Sequence, residues 1–567
     1  MVQDKARLLR RRDRRLGRVL LGVRRDGEAP VLQAYLRGAL QGGGAQDNSG
    51  GGRGPGESGE VGGSLTSVLD EVVALAARRG FFWPSARDLY SDSPAGFWVY
   101  GPLGVAVKRK VVDLWRREIV EPEGGVEIET PSVLPIRVFE ASGHLGHFFD
   151  RLVECRRCHS RFRADKLLEG GNPSLILEGV PDEELERMLR ESGVRCPRCG
   201  ARDWTGIKKF NLMYTLAVGP EAREPNAALR PETTQGSVVE FKRTLMVSRG
   251  KLPFIMAQVG RVFRNEISPR RALIRMREFQ QLEIHVFFDP SDTSAYEEKL
   301  RPHLDYRLRF LLPDDRETGK ITEMTAREAL ETGYTVNPLI TYWLVLYQRF
   351  FTETLGFPLE RLRYRELVEG EKAHYAKVHW DLEAYCEGVG WVELVNNAYR
   401  TDYDLVGHSR VSGVDLSVNS GGRTVVPHLY EPSIGLDRVV LFLLLLGFRR
   451  DERRTWLALP RHLAPIDVAV FPLMAKDGLD SEAREIAREL SGEFRVFYDE
   501  KGSIGRRYRR MDEIGTPACV TVDYQTLEDG TVTVRDRDTM AQVRVPRAGL
   551  PRALRRFLAG APLEEIA

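Results

Sequence analysis

The chain has 567 residues, 42% of them hydrophobic and 29% charged, and a formal net charge of +3 that leaves 84 basic side chains almost balanced by 81 acidic ones. That is the composition of a globular chain of several domains with local basic surfaces, and it excludes a uniformly cationic binder. The longest apolar run, Val439 to Phe448, is about half of what a bilayer requires, and six cysteines, four of them in two C-x-x-C pairs, argue against a disulfide scaffold and for a soluble protein in a reducing compartment.

In chain order, residues 1 to 64 open with an arginine-dense run, Arg7 to Arg25, and pass into the glycine-rich stretch Gly42 to Gly63. Such a composition buries too little apolar surface to order itself, so a disordered tail is expected, and Asp4, Asp13, Asp26 and Glu28 count against a transit peptide. From Leu65 a helical stripe begins with Val68, Val72, Val73 and Ala76. Phe97 to Gly104 reads as a short strand and turn, followed by a helix from about Val105 to Ile119 and a strand from Val126 to Glu129 that closes at Thr130-Pro131. Cys155, Cys158, Cys196 and Cys199 form two thiolate knuckles, the ligand set of a closed, structural Zn²⁺ site with no position left for catalysis. A charged helix at Pro181 to Glu191 is expected between the knuckles. Pro231 fixes the backbone ahead of Glu232, so that carboxylate is held rather than free to swing.

Leu252 to Asp289 reads as an antiparallel hairpin, Phe254 to Phe263 and Phe279 to Phe288, interrupted by Ser268-Pro269-Arg270-Arg271. Alternation puts Val262, Arg264 and Glu266 on one face of the first arm, and Arg275, Arg277, Phe279, Gln281 and Glu283 on one face of the second. Burying that face in a core would leave charges unpaired at several kcal/mol each. It suits a flat, charged ligand instead: Arg275 and Phe279 would stand roughly 13 Å apart, with Phe279 stacking on a base and Arg264 forking onto a phosphate. Residues 290 to about 375 read as a mostly helical insertion, with Tyr342, Trp343, Tyr347 and Phe350 as its own core. Glu393 reads either as a strand-edge acid facing solvent or as a ligand of Mg²⁺ or ATP, since a hard cation bridging phosphates needs only one or two carboxylates. Gly435 lets the backbone approach a ligand, and the apolar helix Asp437 to Leu446 carries Arg438 in its first turn. From Ile466 strands and helices alternate: Ile466 to Phe471, Ser481 to Leu490, Arg495 to Tyr498, Ile504 to Ile514 and Ala518 to Val522. That is a small α/β unit with a mixed sheet, and Tyr508 among the arginines of Ser503 to Arg510 suits RNA stacking.

Phe263-Arg264-Asn265-Glu266 followed by Arg275-Met276-Arg277-Glu278-Phe279 resembles motif 2 of the class II aminoacyl-tRNA synthetases. Glu431-Pro432-Ser433-Ile434-Gly435-Leu436-Asp437-Arg438 resembles motif 3, and the helix, strand and proline ending at Pro131 resemble motif 1. Leu229 to Gly236, Arg161 to Asp165 and Leu362 to Ala376 look like segments of the glycyl-tRNA synthetases of the α2 type, nearest to the archaeal and eukaryotic branch. The resemblance implies an α/β (α+β) chain: a catalytic domain over 65–460 with an antiparallel sheet flanked by helices, a zinc-binding insertion at about 151–205, the insertion at 290–375, and an anticodon-binding domain over 464–567. It implies a cytoplasmic homodimer, without membrane contact, that joins glycine to tRNA(Gly) through a glycyl-adenylate, with ATP, Mg²⁺ and structural Zn²⁺. Arg264, Glu266 and Arg438 would be catalytic. Asn265, Ile274, Arg275, Arg277, Phe279, Glu393, Leu394 and Gly435 would join them at ATP, and Glu232, Gln281, Glu283, Glu431, Ser433 and Arg163 would take glycine. Two alternatives stay open: another class IIa synthetase, which would lack the three glutamates in these surroundings, and a non-catalytic accessory protein, which would have lost Arg264, Glu266, Arg438 or the pocket acids.

Overall fold

The computed structural model describes residues 67–170, 177, 180–267, 269, 271–369 and 371–567. The expected tail, and Ser268 and Arg270 of the tetrapeptide that interrupts the hairpin, lie outside the described residues.

One nine-stranded sheet organises the larger part of the chain. Its strands are β1 (Val126–Glu127), β2 (Phe254–Phe263), β3 (Glu278–Phe288), β4 (Arg307–Leu311), β5 (Thr322–Thr325), β6 (Leu362–Glu366), β7 (Val378–Cys386), β8 (Gly390–Thr401) and β9 (His428–Gly435). Their spatial order is β5-β4-β6-β7-β8-β9-β3-β2-β1, antiparallel from β6 through β2. The predicted hairpin is β2 and β3, paired from Phe254 opposite Phe287 to Phe263 opposite Glu278. Both strands stop before the charged residues expected to continue their faces. Arg264, Glu266, Arg275 and Arg277 stand in the connecting loop, where side-chain partners rather than the pleat set their directions.

Two more boundaries shift. The helix expected from Val105 begins at Pro102, whose fixed φ and missing N–H suit a first turn; it forms α1 (Pro102–Trp115) and ends in a wider turn over Arg116–Val120. The strand expected over Val126 to Glu129 is only β1, two residues long. Segment 290–375 holds the helices Ser294–Leu300, Ala326–Glu331 and Pro338–Arg349, and its three strands, β4, β5 and β6, widen the large sheet. Tyr342, Trp343, Tyr347 and Phe350 are buried core.

The two faces of the sheet are covered differently. Helix α3 (Leu436–Gly447) lies with α1 against β3, buried along nearly its whole length; each buried leucine contributes about 1.5–3 kcal/mol. On the opposite face α2 (Thr234–Val247) sets Val238 and Phe241 against Met256, Phe287 and Leu429, with the rings of Phe241 and Phe287 stacked 4.2 Å apart. Beyond the N-terminus of α2 that face turns polar. Gln258, Glu283, Ser433, Asn396 and Asp381 stand opposite one another in a row across β2, β3, β9, β8 and β7.

The C-terminal unit has a mixed sheet of β10 (Val468–Pro472), β11 (Val496–Tyr498), β12 (Ala518–Val522), β13 (Thr531–Asp536) and β14 (Gln542–Pro546), in the order β11-β10-β12-β13-β14. Val470, Ile486, Val520, Val534, Leu554 and Phe557 belong to its core. The helix Ile504–Ile514 corrects one expectation. Tyr508 does not face outward as a stacking platform: its hydroxyl pairs with Thr521 at 2.6 Å and its ring packs on Phe471. Arg507 is buried, donating to the carbonyls of Pro472 and Asp499. Helical spacing turns Arg507, Tyr508 and Met511 inward together and leaves Arg506, Arg509 and Arg510 exposed. Among the described residues no helix is long and apolar enough to cross a membrane.

Gly260 on β2 permits a close crossing at the edge of the polar face. A Cβ there would stand 2.4 Å from Arg230 Nη2 and 2.5 Å from Thr233 Cγ2, while Arg230 donates to the carbonyl of Thr130 at 2.9 Å. Gly260→Ala is expected to displace Arg230 and destabilise the fold by about 1–3 kcal/mol, read as a lower calorimetric melting temperature.

Candidate active site

Ser433, Asn396 and Asp381 of the polar row floor a cavity of about 640 Å³, a size usual for small-molecule sites. Its walls come from the β2–β3 loop, the approach to α2, the segment after β6, and the region around Phe148 and Arg163. Of the sequence-predicted residues, Arg163, Glu232, Arg264, Glu266, Ile274, Arg275, Phe279, Gln281, Glu393, Glu431, Ser433, Gly435 and Arg438 line it. Four do not. Asn265 is held at its backbone by the carbonyl of Leu212. Arg277 braces the loop by donating to the carbonyls of Glu266 and Ala95. Leu394 is buried in the sheet, and Glu283 sits fully buried behind Ser433, whose hydroxyl donates to it at 2.9 Å.

One end of the cavity is cationic and aromatic. The Arg264 guanidinium lies between the rings of Phe148 and Phe279, 5.5 and 5.3 Å from their centroids, and its Nε donates to the carbonyl of Pro231 at 3.2 Å. Arg275 donates to Glu266 at 2.6 Å, Arg438 to Glu393 at 3.0 Å, and Arg163 pairs with Asp150 at 3.0 Å. Among the described residues, Arg264 is therefore the one arginine of these four without a carboxylate partner. The pairing of Arg275 also replaces the expected geometry: this side chain turns to Glu266 and Asp150 instead of lying along a strand from Phe279. Beside Glu393, Asp381 is buried, and burial together with the Glu393 charge raises its carboxyl. The buried Oδ1 of Asn396, opposite Asp381, has no hydrogen-bond partner among the described residues.

The other end is acidic, and a residue given no role from sequence holds it together. Arg400, wholly buried at the end of β8, donates to Glu431 at 2.6 Å, to Glu232 at 3.0 Å, and to Asp404 at 2.6 and 2.9 Å. Gln235, in the first turn of α2, joins Glu232 and Asp404, each at 2.9 Å. Glu283 accepts from the Thr233 backbone N–H at 3.1 Å, just ahead of α2, and from the Thr233 hydroxyl. The signal in the sequence was the arginine followed four residues later by an acid, but that spacing spans a strand end and a helix start and has no meaning until the chain folds. Against its burial, the charges of Arg400 and His144 hold Glu232 well below the usual carboxyl range. Burial, with Glu283 and Glu232 nearby, pushes Glu431 well above that range despite Arg400. Carboxyls here outnumber fixed cations.

The four cysteines stand in the turns beside strands Phe149–Glu154, Arg161–Arg163 and Lys208–Asn211 and after the helix Asp182–Glu191. Their sulfurs lie within 4.8 Å of one another, with Cys155 to Cys199 and Cys158 to Cys196 both 3.6 Å. A tetrahedron of Zn–S bonds puts its sulfurs about 3.8 Å apart, so the set fits that ion.

Arg400→Met should leave buried carboxylates uncompensated at a cost of about 3–5 kcal/mol, seen as a large drop in melting temperature. Arg400→Lys retains the charge but not the fork and should fall between the two.

Residues 214–445 match the family model described as tRNA synthetase class II core domain (G, H, P, S and T), and residues 467–557 match the anticodon binding domain. The chain is 40% identical to the glycine–tRNA ligase of Pyrococcus furiosus, an alignment that covers 86% of this chain and 98% of that protein. It is 39% identical to the enzyme so named in Methanothrix thermoacetophila, over 87% of this chain and 97% of the other. In fold it is similar to the prolyl-tRNA synthetase of Cryptosporidium parvum, at a TM-score of 0.54 and 15% identity over 88% of this chain and 78% of that one. With a synthetase core around the cavity, an anticodon-binding unit after it, and these relatives matched over almost their whole length, the chain belongs to the glycine–tRNA ligase family of class II aminoacyl-tRNA synthetases.

Proposed function

We propose that this chain activates glycine with ATP and transfers it to tRNA(Gly). The observation that carries the reading is the division of one cavity between an aromatic end, with a guanidinium not committed to any carboxylate, and a carboxyl cluster with more acids than cations. A phosphate fits the first and an ammonium the second. A glycine carboxylate oxygen attacks the α-phosphorus; that O–P bond forms as the bond to pyrophosphate breaks, giving glycyl-adenylate. The ribose hydroxyl at the tRNA terminus then attacks the carbonyl carbon, and AMP leaves.

Such a displacement needs charge stabilisation more than covalent help. Arg264 neutralises the α-phosphate, Phe279 stacks the adenine, and Arg275 and Arg438 share their charge between Glu266, Glu393 and the outer phosphates. Glu232 and Glu431 receive the ammonium, with Gln281 and Ser433 beside them; Glu283 acts through Ser433 from behind the floor. Asp381, Glu393 and the unpartnered Oδ1 of Asn396 supply hard oxygen donors fit for Mg²⁺, which would add positive charge at the phosphates. Cys155, Cys158, Cys196 and Cys199 hold structural Zn²⁺. Arg506, Arg509 and Arg510 offer the anticodon arm a basic surface. The helix, strand and proline that resemble motif 1 form the contact of a cytoplasmic homodimer.

Pyrophosphate exchange with each amino acid in turn tests the reading. Glycine alone should support it; exchange with a different amino acid removes the glycine assignment, and none at all favours an accessory role. Arg264→Ala should lower kcat by about 10²–10³-fold. Because an acid with a raised pKa keeps its proton below that pKa, Glu431 must ionise to receive an ammonium. The KM for glycine should thus fall as pH rises above the ordinary carboxyl range, with proton release on binding in calorimetry. Metal analysis should find one zinc per chain, lost in Cys158→Ser.

A further inference from the structure

The segment after β6 brings Tyr375 to the acid end of the cavity. Its phenol donates to Glu232 at 3.3 Å, and its ring centroid lies 3.5 Å from the Arg400 guanidinium carbon. The ring thus covers the cation that ties the acids together, while touching one of those acids itself. Among the described residues of 367–377, none lies in a helix or strand.

What fixes the segment is Glu371. Its two carboxylate oxygens take Arg316 at 2.7 Å and Arg365 at 3.0 Å, one from the turn after β4 and the other from β6. The Lys372 ammonium closes the loop by donating to the carbonyl of Lys377 at 3.0 Å. Both arginines belong to segment 290–375, whose purpose the motifs leave open.

We propose that this segment sets the size limit of the amino-acid pocket: Arg316 and Arg365 position Glu371, and through it Tyr375, whose ring occupies the space a larger substrate side chain would need. The inference rests on the acid end being the glycine site. Loss of a contact alone discriminates one methyl group by only about 10–200-fold; stronger exclusion needs a wall that cannot retreat. Arg400 pins the acids, and Glu232, Arg400 and the Glu371 clamp pin the ring.

Pyrophosphate exchange with glycine, alanine and serine, together with melting curves, tests this on the full chain. Tyr375→Ala should raise kcat/KM for alanine relative to glycine by about tenfold or more. Tyr375→Phe, which keeps the ring, should leave the ratio near that of the parent. Glu371→Gln should move it in the same direction as Tyr375→Ala but less far, and Tyr375→Leu gives a milder loss of the ring should the alanine variant fail to fold. A folded Tyr375→Ala or Tyr375→Leu with an unchanged ratio overturns the proposal, as does Tyr375→Phe matching the alanine variant. A parent chain that activates no glycine overturns the underlying reading instead.

Discussion

The contact on which the site depends is the one between Arg400 and the carboxylates of Glu232, Glu431 and Asp404. Taking several acids out of water is costly, and one buried guanidinium answers only part of their charge. The remainder is what an ammonium can satisfy. Affinity for a small cation thus comes from a deliberate shortfall of positive charge, and the same fork that limits repulsion among the acids also fixes where they stand.

That arrangement is possible because the sheet face changes character along its length. Under α2, Met256, Phe287 and Leu429 are packed dry against Val238 and Phe241. Where α2 ends, side chains at the same pleat parity are Gln258, Glu283 and Ser433, and the Thr233 N–H points at Glu283. One helix serves both purposes, covering the apolar half and offering its N-terminal donors to the polar half. At the other end of the row, Arg275 meets Glu266 within the β2–β3 loop and Arg438 of α3 meets Glu393 of β8, so these phosphate-facing cations are spaced by ion pairs within the wall.

The opening of the β2–β3 loop shows where strand logic stops. Alternation assigns faces correctly to Phe279, Gln281 and Glu283, which lie within β3, and Arg264 does lie over the Phe279 ring, but Arg264 and Arg275 stand outside both strands and Arg275 turns to Glu266 and Asp150. Composition misleads in its own way at Tyr508. A run of arginines looks like a solvated or RNA-facing surface until the helix is seen to turn Arg507 and Tyr508 against β10 and β12, where backbone carbonyls and Thr521 satisfy them. Long side chains with several donors can be buried wherever acceptors are waiting, and the acceptors come from distant parts of the chain.

The sequence alone determined what local chemistry decides. The β2 and β3 hairpin, the helix starting near Gly435, the four-cysteine cluster and the small mixed sheet follow from periodicity, turn residues and spacing, which act over a few residues. The motifs in their order carried the family resemblance as well. Only the tertiary structure decided who pairs with whom: Arg400 with three acids, Arg275 with Glu266, Glu371 with Arg316 and Arg365. Some of those pairings join residues 31 and 168 positions apart, as Arg400 does with Glu431 and Glu232, and the short ones cross element boundaries that the local sequence does not mark. Their energy comes from desolvation and distance, which exist only once the chain has folded.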